Sequence, residues 1–357
     1  MTDMVVDNKM VWTKNAEYWD AENVHLDTIN WYIVAQESTA ATMFENGELD
    51  QYQPTGDYAI KFEKEAEEGK YQYMVTDYPG TIGLRFNFIN GGTSGLMSNV
   101  KIRKAISYSI DREEMIDAVY GRYNPAYSYV APAITFNGSS YRDQVGEIME
   151  DEYNEYVGDP DKIVALFQEG LDELGVETPI EDITLTYLTS GSTTEGQAER
   201  EYIQQSLEET LGLTVELSVA GDTSLFIADR NEGNYDFFLG GWYSDYNDPL
   251  DFLYTNYTDA YGMSFGGYSN TDYDALADQL VGETDMDKRL DIYKQMEQIL
   301  LLDDCAFAPI YYATKQVLLQ NWVKDYRTSS FGASAEFIWT YIDGKISNRA
   351  QLVEGNA

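Results

Sequence analysis

Two hydrophobic periodicities divide the chain. Apolar residues fall at every second position at Tyr71, Tyr73 and Val75, at Leu84, Phe86 and Phe88, at Ile183, Leu185 and Tyr187, and at Val215, Leu217 and Val219. That spacing predicts strands with one buried face. Met10 to Thr13, Leu26 to Val34 and Phe307 to Leu319 also read as extended. Helical spacing holds over about 36–45, 58–68 and from Val100, where Ile102, Ala105, Ile106 and Ser109 share a face. Asp111 with Glu114 three residues later resembles a capping box that starts a further helix. Asp159-Pro160 supplies the cap and first position of a helix carrying Ile163, Val164, Phe167 and Leu171 and stopped by Gly175. Three more helices are predicted over about 197–211, 271–281 and 287–302. The first 80 residues form a mixed unit, a break falls at Pro79-Gly80, and the strand and helix alternation beyond it predicts an α/β lobe with a largely parallel sheet. Gln144 to Asp159 reads as an acidic surface stretch.

The segment Gly240 to Pro249 reads Gly-Gly-Trp-Tyr-Ser-Asp-Tyr-Asn-Asp-Pro. Tyr235, Phe237 and Leu239 alternate with Asp236 and Phe238 as a mostly buried strand that runs into a tight Gly-Gly turn. Asp248 then caps a short helix with Pro249 at its first position. Asp245 thus lies in a loop at the carboxyl end of a strand, where open α/β sheets place their ligands. Among Trp242, Tyr243 and Tyr246, its carboxylate suits a small cation such as an α-ammonium group. A structural loop with a solvated aspartate fits the same residues.

Composition narrows the chemistry. The chain has 357 residues, 62 acidic and 23 basic, for a net charge of -39, which repels nucleic acid and anionic membrane surfaces. Cys305 is alone and His25 is the single histidine, a surface or packing residue, so neither a disulfide nor a cysteine metal cluster is expected. No catalytic residues, metal or cofactor are predicted. The chain lacks a phosphate loop, a dinucleotide fingerprint, His-Glu-x-x-His and a Gly-x-Ser-x-Gly elbow. Carboxylate chemistry of the glycosidase kind stays open, because 62 acidic residues would supply pairs by chance. No apolar run is long enough to span a bilayer, and Met1 to Asn8 do not read as a signal peptide.

Further landmarks carry a family likeness: Lys14-Asn15-Ala16-Glu17-Tyr18-Trp19-Asp20, Phe44-Glu45-Asn46-Gly47-Glu48-Leu49-Asp50, and Asn99-Val100-Lys101-Ile102-Arg103-Lys104-Ala105-Ile106. Ser109-Ile110-Asp111-Arg112-Glu113-Glu114, the Gly240 to Pro249 stretch and Ala308-Pro309-Ile310-Tyr311-Tyr312 complete them. In order and spacing the chain resembles the solute-binding proteins of bacterial peptide ABC importers, the oligopeptide- and dipeptide-binding type. The resemblance implies a periplasmic-binding-protein-like α/β fold of the class II type that closes by a hinge, with crossings near Pro79-Gly80 and Ala313-Thr314. It implies a complete second lobe over 80–313 and an incomplete first lobe over 1–79 and 314–357, because family members carry a long N-terminal portion ahead of the Asn-x-x-Tyr-Trp segment.

By the same resemblance, Asp245 pairs with the N-terminal ammonium of a peptide. The ligand-binding residues it implies are Asp245, Trp242, Tyr243, Tyr246 and Asn247, the last shaping the loop together with Asp248. Leu239 stands where some oligopeptide binders have a basic residue, so no fixed peptide length is implied. The expected partners are a peptide and ABC permease subunits, with no nucleic acid, and the expected state is an extracytoplasmic monomer, periplasmic or lipid-anchored. Rival readings are the same fold carrying an oligosaccharide, a carboxylate glycosidase, and an inactive remnant; nickel and haem lack ligands here.

Overall fold

The computed structural model describes residues 1–191, 193–258, 265–331 and 335–345. It divides into two compact units, Met1–Asp77 with the chain from Thr314 onward, and Tyr78–Ala313. One sheet follows the order Thr214–Ala220, Thr184–Ser190, Phe237–Tyr243, Gln72–Phe86 and Phe307–Leu319, with residues 72–77 and 314–319 of the last two strands in the first unit. The first three strands are parallel, with Tyr187 opposite Phe237. Phe237–Tyr243 then meets Gln72–Phe86 antiparallel, with Leu239 opposite Leu84 and Tyr243 opposite Gly80. The sheet is therefore mixed, not largely parallel as the alternation predicts. Strands far apart in sequence can pair in either direction, because no crossover helix joins them directly.

One sheet face carries Leu84, Phe86, Leu185, Tyr187 and Phe237 into the main core. The helices Val100–Tyr108, Pro160–Leu174 and Thr194–Leu211 cover it with Ile102, Ile106, Phe167, Leu171, Ile203 and Leu207. Each fully buried side chain of this size contributes about 1.5–3 kcal/mol. The helix ends follow the sequence signals: Asn99 accepts from the amides of Lys101 and Ile102, Asp159 from that of Lys162, and Gly175 closes its helix in the left-handed region at φ 68°. Asp111 likewise caps through the amide of Glu114.

Buried charge also braces the unit. Arg85 donates to Asn256 and to the Tyr129 hydroxyl, and its guanidinium lies 4.6 Å from the centre of the Phe307 ring. Arg103 donates to the carbonyls of Met97, Asp304 and Cys305, and Arg112 to those of Ala126 and Pro309. Glu297, fully buried on the helix Met286–Gln298, accepts from the amides of Tyr129 and Val130, from the Tyr141 hydroxyl and from Arg142.

In the first unit, the helices Glu37–Glu45 and Gly56–Glu67 bring Phe44 and Phe62 together with Tyr52, Tyr71 and Leu318. Gln51–Tyr52 pairs antiparallel with the outer end of Phe307–Leu319. A separate sheet orders Asp3–Val5, Lys9–Thr13 and Thr28–Tyr32.

Four local expectations change. The strand Gln72–Phe86 runs unbroken through Pro79-Gly80, and Phe88 lies beyond its end. Gly240 and Gly241 lie inside the strand Phe237–Tyr243 and make no turn. A Cβ on Gly241 would stand 1.9 Å from the Thr81 carbonyl oxygen, so close strand packing is what excludes a side chain there. A helix at Thr223–Glu232 was not anticipated; none of its residues is buried, so it leaves no apolar stripe to read. The acidic stretch is tied inward, with Tyr153 buried, Glu147 accepting from the Tyr312 hydroxyl, and Glu152 accepting from Lys104 and Tyr108.

Replacing Glu297 by Ala would leave Arg142 buried without its carboxylate and release the 129–142 segment. A loss of about 3–5 kcal/mol is expected, measured by urea unfolding; a loss below about 1 kcal/mol would show that the ion pair is dispensable.

Candidate ligand-binding site

The strand Phe237–Tyr243 ends where its antiparallel neighbour reaches Gly80, and the Ser244 amide donates to the Pro79 carbonyl at 2.7 Å. The chain then turns through Asp245, Tyr246 and Asn247 into the short helix Pro249–Leu253, which Asp248 caps by accepting from the Leu250 amide. Asp251 decides the loop's shape. Its buried carboxylate accepts from the Trp242 indole N–H at 2.8 Å and from the Asp245 amide at 2.9 Å through the same oxygen. One acid thus fixes both the indole and the backbone that presents Asp245. It occupies the third helical position after the Asp248 cap, a place where acidic residues often reach back, and that was the readable signal for it.

The candidate residues separate by role. Asp245 is exposed, and among the described residues its carboxylate has no hydrogen-bond or ion-pair partner. Tyr243 and Tyr246 flank it at 47% and 50% exposure, and the Tyr243 ring lies 5.6 Å from that of Tyr78. Trp242 is partly buried and anchored by Asp251. Asn247 accepts from the Thr135 amide and donates to the Thr135 hydroxyl, so both ends of its amide hold the loop in place. Asp248 is also a framework residue, accepting from the Tyr293 hydroxyl, whose ionisation is pushed up by burial and by that carboxylate. Leu239 is partly buried against the main core.

Beside Tyr243 lies a group the sequence did not single out. Tyr123 stacks on Tyr311 with ring centres 4.4 Å apart, and Tyr120 packs against both at 4.9 and 4.8 Å. Glu199, on the helix Thr194–Leu211, is partly buried and accepts from the Tyr120 hydroxyl. The neighbouring Glu195 is neutralised by both terminal nitrogens of Arg122, at 2.6 and 2.7 Å. Burial raises the Glu199 carboxyl to about 7, with Glu195 adding to the rise and Tyr120 and Arg200 opposing it.

Among the described residues, no grouping of three or more His, Cys, Asp or Glu is placed to hold a metal, and no helix is long and apolar enough to cross a membrane. His25 is exposed, edge-on to Tyr341.

Residues 1–264 match the family model for bacterial extracellular solute-binding proteins, family 5 (middle region). The chain belongs to this family. It is 29% identical over 323 residues to the dipeptide-binding protein DppE of Bacillus subtilis, covering 90% of this chain and 55% of that protein. The oligopeptide-binding protein OppA of the same organism is 29% identical over 319 residues, covering 87% and 53%. Among solved structures, Listeria monocytogenes OppA bound to peptide superposes with a TM-score of 0.73 at 29% identity, covering 94% of this chain and 62% of that one. The substrate-binding domain of an oligopeptide ABC transporter from Bacillus anthracis gives 0.75 at 25% identity, covering 96% and 64%. This family 5 chain therefore has the periplasmic-binding-protein-like α/β fold, and it spans about half the length of the curated relatives it matches.

Two outcomes are expected here. Asp251→Ala should cost about 1.5–3 kcal/mol, because a buried charged acceptor with two donors is lost; an unchanged unfolding midpoint together with unchanged Trp242 fluorescence would remove its clamping role. Glu199 keeps its proton in the folded state at pH values where the unfolded chain, titrating near 4.5, has lost it. Its ionisation therefore removes stability as pH rises from about 4.5 to about 7. Glu199→Gln should exceed the parent by about 3 kcal/mol at pH 8, with the gap closing by pH 4; chemical denaturation at the two pH values checks this.

Proposed function

We propose that this chain serves a bacterial ABC importer as its extracytoplasmic peptide-binding component, taking the ligand by its N-terminal ammonium at Asp245. The observation that carries the reading is the exposed Asp245 carboxylate, unpaired among the described residues, between two half-exposed tyrosines on a backbone clamped by Asp251. An ammonium there gains a charge-assisted hydrogen bond and the faces of two rings. Relatives named as dipeptide- and oligopeptide-binding proteins support a peptide as the ligand. In this reading, residues 80–313 are the lobe that carries the ligand loop, and 1–79 with 314–357 belong to the other lobe. Trp242 and Asn247 keep the loop in shape, while Tyr243 and Tyr246 meet the ligand. The partners are permease subunits, and the protein acts as a monomer without catalysis.

Titration calorimetry with tripeptides bearing a free or an acetylated N-terminus tests the ammonium. Acetylation is expected to weaken binding at least about tenfold, equivalent to roughly 1.4 kcal/mol, and Asp245→Asn should weaken the free peptide to the same degree. Equal affinity for the two peptides would overturn the role of Asp245.

A further inference from the structure

Among the described residues, Glu199 has no ion-pair partner, unlike the neighbouring Glu195. Glu195 is matched by Arg122, and Arg200 directs its guanidinium to the carbonyls of Gly191 and Gly196. Glu199 accepts a hydrogen bond from a neutral phenol, Tyr120. Around it stand the rings of Tyr120, Tyr123 and Tyr311, with Tyr187 and Tyr243 near enough to feel its charge. Tyr243 belongs to the ligand loop and Tyr78 extends its ring surface. An ionised carboxylate beside aromatic rings, with no ion-pair partner among the described residues, attracts an organic cation.

We propose that Glu199 is a specificity-determining residue which makes the site favour peptides with a lysine- or arginine-type side chain within the first three positions. The proposal rests on the ammonium reading of Asp245. Tyr243 precedes Asp245 by two residues, and an extended peptide advances about 3.4 Å per residue. In this reading a side chain near the peptide's N-terminus lies against the Tyr78 and Tyr243 surface while the ammonium stays at Asp245. The preference depends on pH because it needs the ionised form of Glu199. Its carboxyl titrates at about 7, under the combined influence of burial, Tyr120, Glu195 and Arg200. A ligand cation stabilises that ionised form and so expels the proton. Binding of a lysine peptide at pH 7 releases protons that binding of an uncharged analogue does not.

The test scans one lysine, or isosteric norleucine, through the first three positions of an alanine tripeptide with a free N-terminus. Affinities are measured by calorimetry on the full chain at pH 8.5 and pH 5.5, and proton release at pH 7 from the buffer dependence of the enthalpy. At one position at least, lysine is expected to bind about tenfold tighter than norleucine at pH 8.5, within about twofold at pH 5.5, and with proton release at pH 7. Glu199→Gln should erase the preference of lysine over norleucine at pH 8.5. The general field of the acidic chain is almost the same in that variant, so a preference that survives it, or that is equal at both pH values, overturns the proposal. If the variant does not fold, the pH comparison and the proton count on the parent chain decide alone. Loss of affinity on acetylation without any lysine preference sinks only the role of Glu199. No binding by any of the peptides sinks the peptide reading as well.

Discussion

Close backbone packing at the centre of the sheet constrains everything the site needs. At Gly83 a Cβ would stand 2.2 Å from the Ala308 carbonyl oxygen, and at Gly241 one would stand 1.9 Å from that of Thr81. These positions lie on strands Gln72–Phe86 and Phe237–Tyr243, which pair with each other. Glycine there lets the strands approach, and the approach fixes where Phe237–Tyr243 ends and in which direction the following loop leaves. The sheet thus sets where the loop begins, and the Asp251 carboxylate then holds the Asp245 backbone.

The loop itself is organised by polar side chains tied to the framework. Asp248 starts the helix, Asp251 ties that helix back to Trp242 and to the Asp245 amide, and Asn247 joins the turn to Thr135. This leaves one carboxylate facing solvent while its neighbours are engaged. Such division of labour preorganises a charge, because the framework has met its hydrogen-bonding needs before a ligand arrives.

Much of the fold was legible because its signals are local. Asp159-Pro160 and Gly175 mark the ends of a helix through their own backbone geometry, and Leu185 and Tyr187 alternate because one face of their strand is covered. Gly240-Gly241 misled, since glycine required by a neighbouring strand looks the same in sequence as glycine required by a turn. The helix Thr223–Glu232 escaped because nothing in it is buried. Within the site, Asp245 and its aromatic neighbours could be read from adjacent residues. Glu199 could not, since Tyr120 lies 79 residues away in sequence, and Glu297 serves residues more than 150 positions earlier. Long-range partners leave no spacing to recognise.

The buried arginines have an effect beyond the core they brace. Arg85, Arg103, Arg112 and Arg142 place their positive charge inside, against carbonyls, rings and the carboxylate of Glu297. The outer skin of the molecule is accordingly poorer in cations than the composition implies. Two copies meeting in dilute buffer repel one another, and dissolved salt, which shortens the reach of that repulsion to about 10 Å at 0.1 M, sets how crowded a solution of this protein can become.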